Sequence, residues 1–265
     1  MSVNIKVQQA GDALASQYGT RQLYSLDERL MPDDLDEAYL IQREFQRHIS
    51  EEQGAVAGYK LAYTTEALQN TVGASDPVLG LILEDNILHS PTTLTAADYV
   101  QLALECEVGV RLGADLSAAG APYDRGRVSE AVDSLCTAFE VVDIRRTPGM
   151  DPKVQFITGV AANIFNAGVV LGDPVASWRD LDLQAAYGSM TINGEMVGDG
   201  HGSDVMGHPL EPLAWLANKL AEQGLGLSAG MVIITGSIVS PKPVKPGDTA
   251  SIMIEGLGGA EVNIV

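Results

Sequence analysis

Positive charge is scarce in this chain. Its 265 residues hold 16 Lys and Arg against 35 Asp and Glu, a formal net charge of −19. Such an acidic surface repels phosphate backbones and anionic lipid headgroups, which excludes nucleic acid and a membrane surface as partners. It also sets a condition: an anionic substrate needs local positive charge or a metal ion in its site. Cysteine is nearly absent as well. Cys106 and Cys136 both sit in apolar, strand-like runs, which points to reduced core thiols in a cytoplasmic protein rather than to a bridge. No apolar run approaches the roughly 18 residues of a membrane span. The opening MSVNIKVQQAGD shows no basic-then-apolar signal pattern. Repeats, low-complexity tracts and linkers rich in Pro, Gly or Ser are missing too. One structural unit is therefore expected, with a helical segment over 1–54 and a strand-rich part over 55–265.

What is present supports a sizeable core, since 46% of the residues are hydrophobic, and 28 Gly with 12 Pro supply many turns. Leu35, Ala38, Phe45 and Ile49 form a one-sided apolar stripe, with Asp33 or Asp34 as a cap and Gly54 as a stop. From AVAGYKLAY (55–63) onward the pattern changes to short strands, expected at 79–83, 102–112, 136–143, 168–172 and 186–192. Asn193-Gly194 after the last of these is a hairpin turn. A helix is expected within 209–224, followed by strands at 231–236, 249–255 and 260–265. This is a mixed α/β chain without regular βαβ alternation.

Two strand-like runs carry charges that such runs rarely hold. In LALECEVGV (102–110), Glu105 and Glu107 fall on one face, because side chains alternate along a strand. CTAFEVVDIRR (136–146) isolates Glu140 in the same way. Three carboxylates on two strands form a candidate site for a hard cation such as Mg²⁺, Mn²⁺ or Ca²⁺. The runs offer no His or Cys at zinc-ligand spacing. Two plainer arrangements compete: a half-exposed acidic face for the pair, and an ion pair with Arg145 or Arg146 for Glu140.

Lys60, set between Gly58-Tyr59 and Leu61-Ala62, is either a half-buried anion anchor or a lysine whose head reaches solvent. GDGHGSDVMGHP (198–209) lacks dinucleotide-fingerprint spacing and is expected as a mobile or ligand-adjacent loop, with His201 and His208 structural. TGSIVSPKPVKPGD (235–248) is expected as a strand end and then a Pro-stiffened loop. Its Thr235, Gly236 and Ser237 offer hydroxyls and backbone N–H groups to a carboxylate.

Taken in order, AGYKLAYTTEALQN, LECEVGV, FEVVDIR, GHPLEPLAWLANKLA, AGMVIITGS, PVKPGD and GLGGAEV resemble the 2-keto-4-pentenoate hydratase and 4-oxalocrotonate decarboxylase family of the fumarylacetoacetate hydrolase superfamily. The resemblance implies a rolled, distorted β-sandwich behind the helical segment. It implies Mg²⁺ or Mn²⁺ held by Glu105, Glu107 and Glu140, with Lys60 and Asp76 as catalytic residues. Lys60, Asn163, Gly236 and Ser237 are the substrate-binding candidates. The implied chemistry is hydration of a 2-hydroxy-2,4-dienoate from aromatic-compound degradation to a 4-hydroxy-2-oxo acid, the metal stabilising an enolate at the 2-oxygen. Decarboxylation of a 2-oxo-3-enedioate, C–C hydrolysis of an acylpyruvate and an inactive partner subunit are the alternatives. The implied assembly is a homo-oligomer, or a complex with a related decarboxylase or hydratase subunit. The chain departs from the family at AANIFNAG (161–168), where Ala162 replaces an Asp and Phe165 and Asn166 replace small hydroxyl residues.

Overall fold

Apolar spacing of three and four residues makes the first two elements helices. In the computed structural model, which describes residues 4–265, α1 spans Ile5–Gly19 and α2 spans Leu35–Gln53. The Asp34 carboxylate caps α2 by accepting the Glu37 N–H at 2.9 Å, and Gly54 ends it at φ +80°. Ala38, Ile41 and Phe45 are buried along its inner face. Helix α1 buries only Ala10, Gly11 and Leu14, a stripe too short to stand out from sequence.

Strands follow in chain order: β1 (Val56–Ala62), β2 (Val78–Leu83), β3 (Ile87–His89), β4 (Thr92–Leu94), β5 (Leu102–Leu112) and β6 (Val132–Asp143). Next come β7 (Asn166–Leu171), β8 (Tyr187–Ile192), β9 (Glu195–His201), β10 (Val232–Pro243), β11 (Thr249–Ile254) and β12 (Gly258–Ile264). The remaining helices are α3 (Glu66–Val72), α4 (Arg125–Ala131), α5 (Pro152–Ala161) and α6 (Glu211–Ala221). The strands make a seven-stranded sheet in the order β2-β1-β10-β5-β6-β7-β3 and a five-stranded sheet in the order β4-β12-β11-β8-β9. The fold is thus the expected mixed α/β architecture with curled, packed sheets. No helix among the described residues is long and apolar enough to cross a membrane.

The two sheets differ in composition because they differ in cover. Strands β5 and β6 are buried on both faces, so they read as nearly unbroken apolar runs. Along β11 and β12 buried and accessible residues alternate, as expected of a sheet with one wet face. Ile252, Ile254 and Val262 enter the same core as Leu104, Cys106 and Val239 of the larger sheet. Both cysteines are free and buried, and burial pushes the Cys136 thiol up to about 12.

Two expectations are corrected. Residues 198–201 are not a loop but the end of β9, folded back on β8 by the Asn193-Gly194 turn. A Cβ at Gly200 would lie 2.8 Å from the Ile238 carbonyl oxygen, so this strand needs glycines to approach β10, and glycines read as loop. Strand β10 likewise runs on to Pro243 instead of stopping at 236. Its pairing with β5 shifts register three times, which accommodates prolines that lack an N–H.

The N-terminal helices are tied to the sheet by polar groups as well as apolar ones. The buried Gln42 amide donates to the Leu79 carbonyl at 3.0 Å and the Val160 carbonyl at 2.8 Å, joining α2 to β2 and α5. The Arg145 guanidinium pairs with Asp143 at 2.6 Å and donates to the Gln17 and Tyr18 carbonyls at the end of α1. Gln42→Met preserves side-chain bulk and removes both bonds. It is expected to lower the unfolding free energy by about 1–3 kcal/mol, measured by chemical denaturation.

Candidate metal centre and adjoining cavity

The antiparallel register of β5 and β6 sets Glu105 directly opposite Glu140 and Glu107 opposite Ala138. All three carboxylates therefore share one face, and each offers an oxygen within 4.8 Å of the others. Glu107 and Glu140 are fully buried and Glu105 is partly so, which removes the half-exposed acidic face as an account of the pair. Lys60 enters from β1, the second strand over, since β10 lies between β1 and β5. It is only 3% exposed, and its Nζ lies 3.0 Å from Glu140 Oε1. Its head does not reach solvent. Of the two arginines considered for Glu140, Arg145 is engaged with Asp143 and Arg146 makes no ion pair with it.

Neighbouring groups hold particular oxygens and leave others free. Glu107 Oε2 accepts the Gly236 N–H at 2.6 Å. Glu140 Oε1 accepts from Asn166 Nδ2 at 3.0 Å as well as from Lys60. Glu107 Oε1 and Glu140 Oε2 are buried and have no hydrogen-bond partner. Two orphaned carboxylate oxygens inside a protein are costly, and both belong to the same cluster. Hard oxygen donors, an excess of two negative charges over Lys60 when all are ionised, and two unfilled acceptor positions together fit a divalent cation. Gly236 sits at φ +118°, and a Cβ there would meet Thr64 Oγ1 at 2.5 Å, so only glycine can present its N–H to Glu107 in this way.

Electrostatics follow from this crowding. Burial, reinforced by the Glu140 charge, pushes the Glu105 carboxyl up to about 7, while Lys60 and the Ser237 hydroxyl oppose the rise. Burial and then the charges of Glu140 and Glu105 hold Glu107 well above the usual carboxylate range. Desolvation works against the Lys60 ammonium, but Glu140, Glu105 and Glu107 outweigh it and raise its pKa.

Lys60, Glu105 and Ser237 open onto a cavity of about 700 Å³. Gly198, Asp199 and Asp204 line it too, so the 198–209 segment is ligand-adjacent although much of it is strand. Ser237 Oγ donates to the Val239 carbonyl at 2.5 Å. Gly236 does not offer its N–H to the cavity, having spent it on Glu107. Asn163 is also occupied elsewhere: its amide accepts the Leu81 N–H at 2.7 Å and donates to the Leu81 carbonyl at 2.9 Å. Its neighbours Ile164 and Phe165 line the cavity in its place. All three adopt left-handed φ values of 51–60°, an unusual run for residues with side chains. Asp76 is exposed, bonded to the Ser75 hydroxyl at 2.6 Å, and lines an adjoining hollow of about 490 Å³ behind the shared residues Thr64, Thr65 and Asp204. His208 is structural, its Nδ1 taking the Leu210 N–H, and the His201 ring packs on Tyr187. Asn166 is the group that sequence reasoning left out of the site. The only sign of it was its place in AANIFNAG (161–168), where the chain departs from the pattern it otherwise resembles.

Residues 55–265 match the family model described as fumarylacetoacetate (FAA) hydrolase C-terminal. The chain is 31% identical over 258 residues to a 4-oxalocrotonate decarboxylase of Pseudomonas putida, covering 96% of each chain. It is 33% identical over 229 residues to a 2-keto-4-pentenoate hydratase of Paraburkholderia xenovorans strain LB400, covering 86% of this chain and 83% of the relative. Among solved structures, the 4-oxalocrotonate decarboxylase from Pseudomonas putida G7, complexed with magnesium and adipate, superposes with a TM-score of 0.90 at 28% identity. That match covers 100% of this chain and 99% of the other.

A carboxyl whose folded pKa is raised contributes stability that is complete below its ordinary value of 4.5 and is lost as pH rises to about 7. Thermal unfolding of chelator-treated protein is therefore expected to show a falling Tm across that window. Glu105→Gln should flatten the fall, because the amide keeps the shape and has no proton to lose. A Glu105→Gln profile parallel to that of the wild type would count against a strained, metal-free carboxylate at this position.

Proposed function

The chain belongs to the fumarylacetoacetate hydrolase C-terminal family, and from that premise we propose that it is a divalent-metal-dependent hydratase of a 2-hydroxy-2,4-dienoate, yielding a 4-hydroxy-2-oxo acid. The observation that carries this reading is the pair of orphaned oxygens on Glu107 and Glu140 beside a cavity that Lys60 enters. The names of the relatives supply the substrate class. Glu105, Glu107 and Glu140 would hold Mg²⁺ or Mn²⁺. Such an ion, when bound, supplies Lewis-acid stabilisation of negative charge at the 2-oxygen of a 2-oxo acid.

The remaining work belongs to the chain. Lys60 is fixed by Glu140 and keeps its proton, so it anchors the substrate carboxylate as a cation rather than serving as a base. Gly236 acts through Glu107, whose Oε2 it fixes so that Oε1 points free, and Asn166 does the same for Glu140. Ser237 places a hydroxyl at the cavity wall. Asn163 shapes the wall by pinning the left-handed turn that carries Ile164 and Phe165. Asp76 lies exposed in the hollow behind Thr64 and Thr65. The apolar lining, including Leu61, Val142 and Ile238, limits water around the diene. The free buried thiols and the charge of −19 support a cytoplasmic setting, and the family resemblance supports a homo-oligomer.

Decarboxylation of a 2-oxo-3-enedioate is the second reading, favoured by the similarity to 4-oxalocrotonate decarboxylases. Incubation with Mg²⁺ separates the two. Loss of ultraviolet absorbance from 2-hydroxypenta-2,4-dienoate without CO₂ is expected, whereas CO₂ from 2-oxohex-3-enedioate would favour the decarboxylase. Silence with both substrates would sink the two readings together. Chelation should abolish turnover, and Mg²⁺ or Mn²⁺ should restore it. Glu140→Gln, which replaces one anionic oxygen without changing size, is expected to weaken Mg²⁺ binding on the order of 100-fold by calorimetry while circular dichroism stays that of the wild type.

A further inference from the structure

One strained turn carries part of the cavity wall. Asn163, Ile164 and Phe165 take φ values of 56°, 51° and 60°, and the Asn166 N–H closes the turn on the Asn163 carbonyl. Left-handed backbone is unfavourable for residues other than glycine, most of all for a β-branched one such as Ile164, and it persists only where the surroundings over-determine it. Here both ends of the turn are held. The Asn163 amide exchanges two hydrogen bonds with the Leu81 backbone of β2, and the Asn166 amide donates to Glu140 Oε1 at 3.0 Å. The backbone of Phe165 is therefore fixed relative to the carboxylate cluster.

Strand register says on which side of the cluster it stands. Asn166 pairs with Val142, two residues beyond Glu140 on β6, about 7 Å at the usual rise. Strand β7 runs antiparallel to β6, so Phe165 lies farther out again, and its ring centre is 5.9 Å from the guanidinium carbon of Arg146, past the end of β6. Val142, Ile144 and Arg146 line the cavity along this course. Phe165, Arg146 and Gln155 also line a second hollow of about 20 Å³, room for roughly one water, walled otherwise by residues such as Leu14, Tyr24 and Met150. These three side chains are thus the partition between the two spaces. Arg146 and Gln155 are long and can fold aside. The Phe165 ring cannot: Tyr24 stacks against it at 6.2 Å, and Tyr24 is itself packed edge-on against Phe45 of α2 at 5.8 Å.

We propose that Phe165 sets the maximum length of the substrate. Its ring closes the cavity at the end remote from the 2-oxo acid and shuts off the hollow beyond, so short tails are admitted and long ones are turned away. The inference rests on the hydratase reading above and deepens it, naming short-chain dienoates as the substrate class. Discrimination of this kind works by exclusion: a longer tail must either displace a ring that is packed on its far side or pull the anchored turn out of place.

Saturated 2-oxo monocarboxylates cannot be hydrated and therefore test length apart from turnover. In calorimetric titrations of the Mg²⁺-loaded protein, 2-oxohexanoate is expected to bind at least 10-fold more tightly than 2-oxodecanoate, although each added methylene would tighten binding about threefold in a cavity with room for it. Phe165→Ala should reverse that order, because four methylenes need less room than the ring that leaves. Phe165→Leu keeps an apolar side chain at the partition and is expected to fall between the two, which carries the test should the alanine variant fail to fold. Leu68→Ala enlarges the same cavity at α3 and should keep the wild-type order. Equal affinities in the wild type, an order that neither Phe165 variant relaxes, or one that Leu68→Ala reverses as well would overturn the proposal while leaving the hydratase reading intact. If neither acid binds, the reading and the inference fall together.

Discussion

Three crowded carboxylates, two of them fully buried, share one lysine, and much of the molecule is arranged around that imbalance. Glu105, Glu107 and Glu140 crowd within a few ångströms, the last two shut away from water and the first at the cavity wall, and Lys60 offsets only one of the charges. Surface ion pairs contribute little to stability, but a buried unpaired charge is costly. The fold tolerates the cluster by giving some oxygens fixed donors, the Gly236 N–H, the Asn166 amide and the lysine itself, and by leaving two without any. An ordinary core would have no use for that incompleteness. A site that received a divalent ion and an acidic ligand would. It also answers the condition set by composition, since a chain with so large an excess of acid can attract an anion only where the balance is locally reversed.

The two sheets divide the labour. The larger one, buried on both faces, holds its charged side chains at fixed separations through backbone pairing, so Glu105 and Glu140 face each other as a consequence of register rather than of side-chain flexibility. The helices and the smaller sheet close the surroundings. Gln42 ties α2 to β2 and α5, Arg145 ties α1 to the end of β6, and β9 lies close against β10 through its glycines. Rigidity of this kind suits a site that must hold ligand positions to fractions of an ångström.

How legible this was in sequence depended on the range of the interactions concerned. Glu105, Glu107, Glu140 and Lys60 stood out because an isolated charge in an apolar run conflicts with its local context, and that conflict is visible without a structure. Helix α2 was equally plain, with its cap, stripe and stop all local. The functions of Gly236, Asn163 and Asn166 were not legible, because each depends on a partner from a distant segment: Glu107, Leu81 and Glu140. The same holds for β9 and the far half of β10. Their glycines and prolines carry loop signals locally, and tertiary approach overrides them.

The facing of Glu105 and Glu140 has a consequence for how such a chain can change length over time. Strand side chains alternate, so inserting or deleting one residue within β5 or β6 would carry every later side chain to the opposite surface and separate the acidic group. Gains and losses of residues must therefore be absorbed between the two strands, in the stretch 113–131 with its short helical turns, or at the bulges of β10, where pairing is already interrupted. Lineages carrying this site would be free to vary in those places and held to a fixed count everywhere along the two acidic strands.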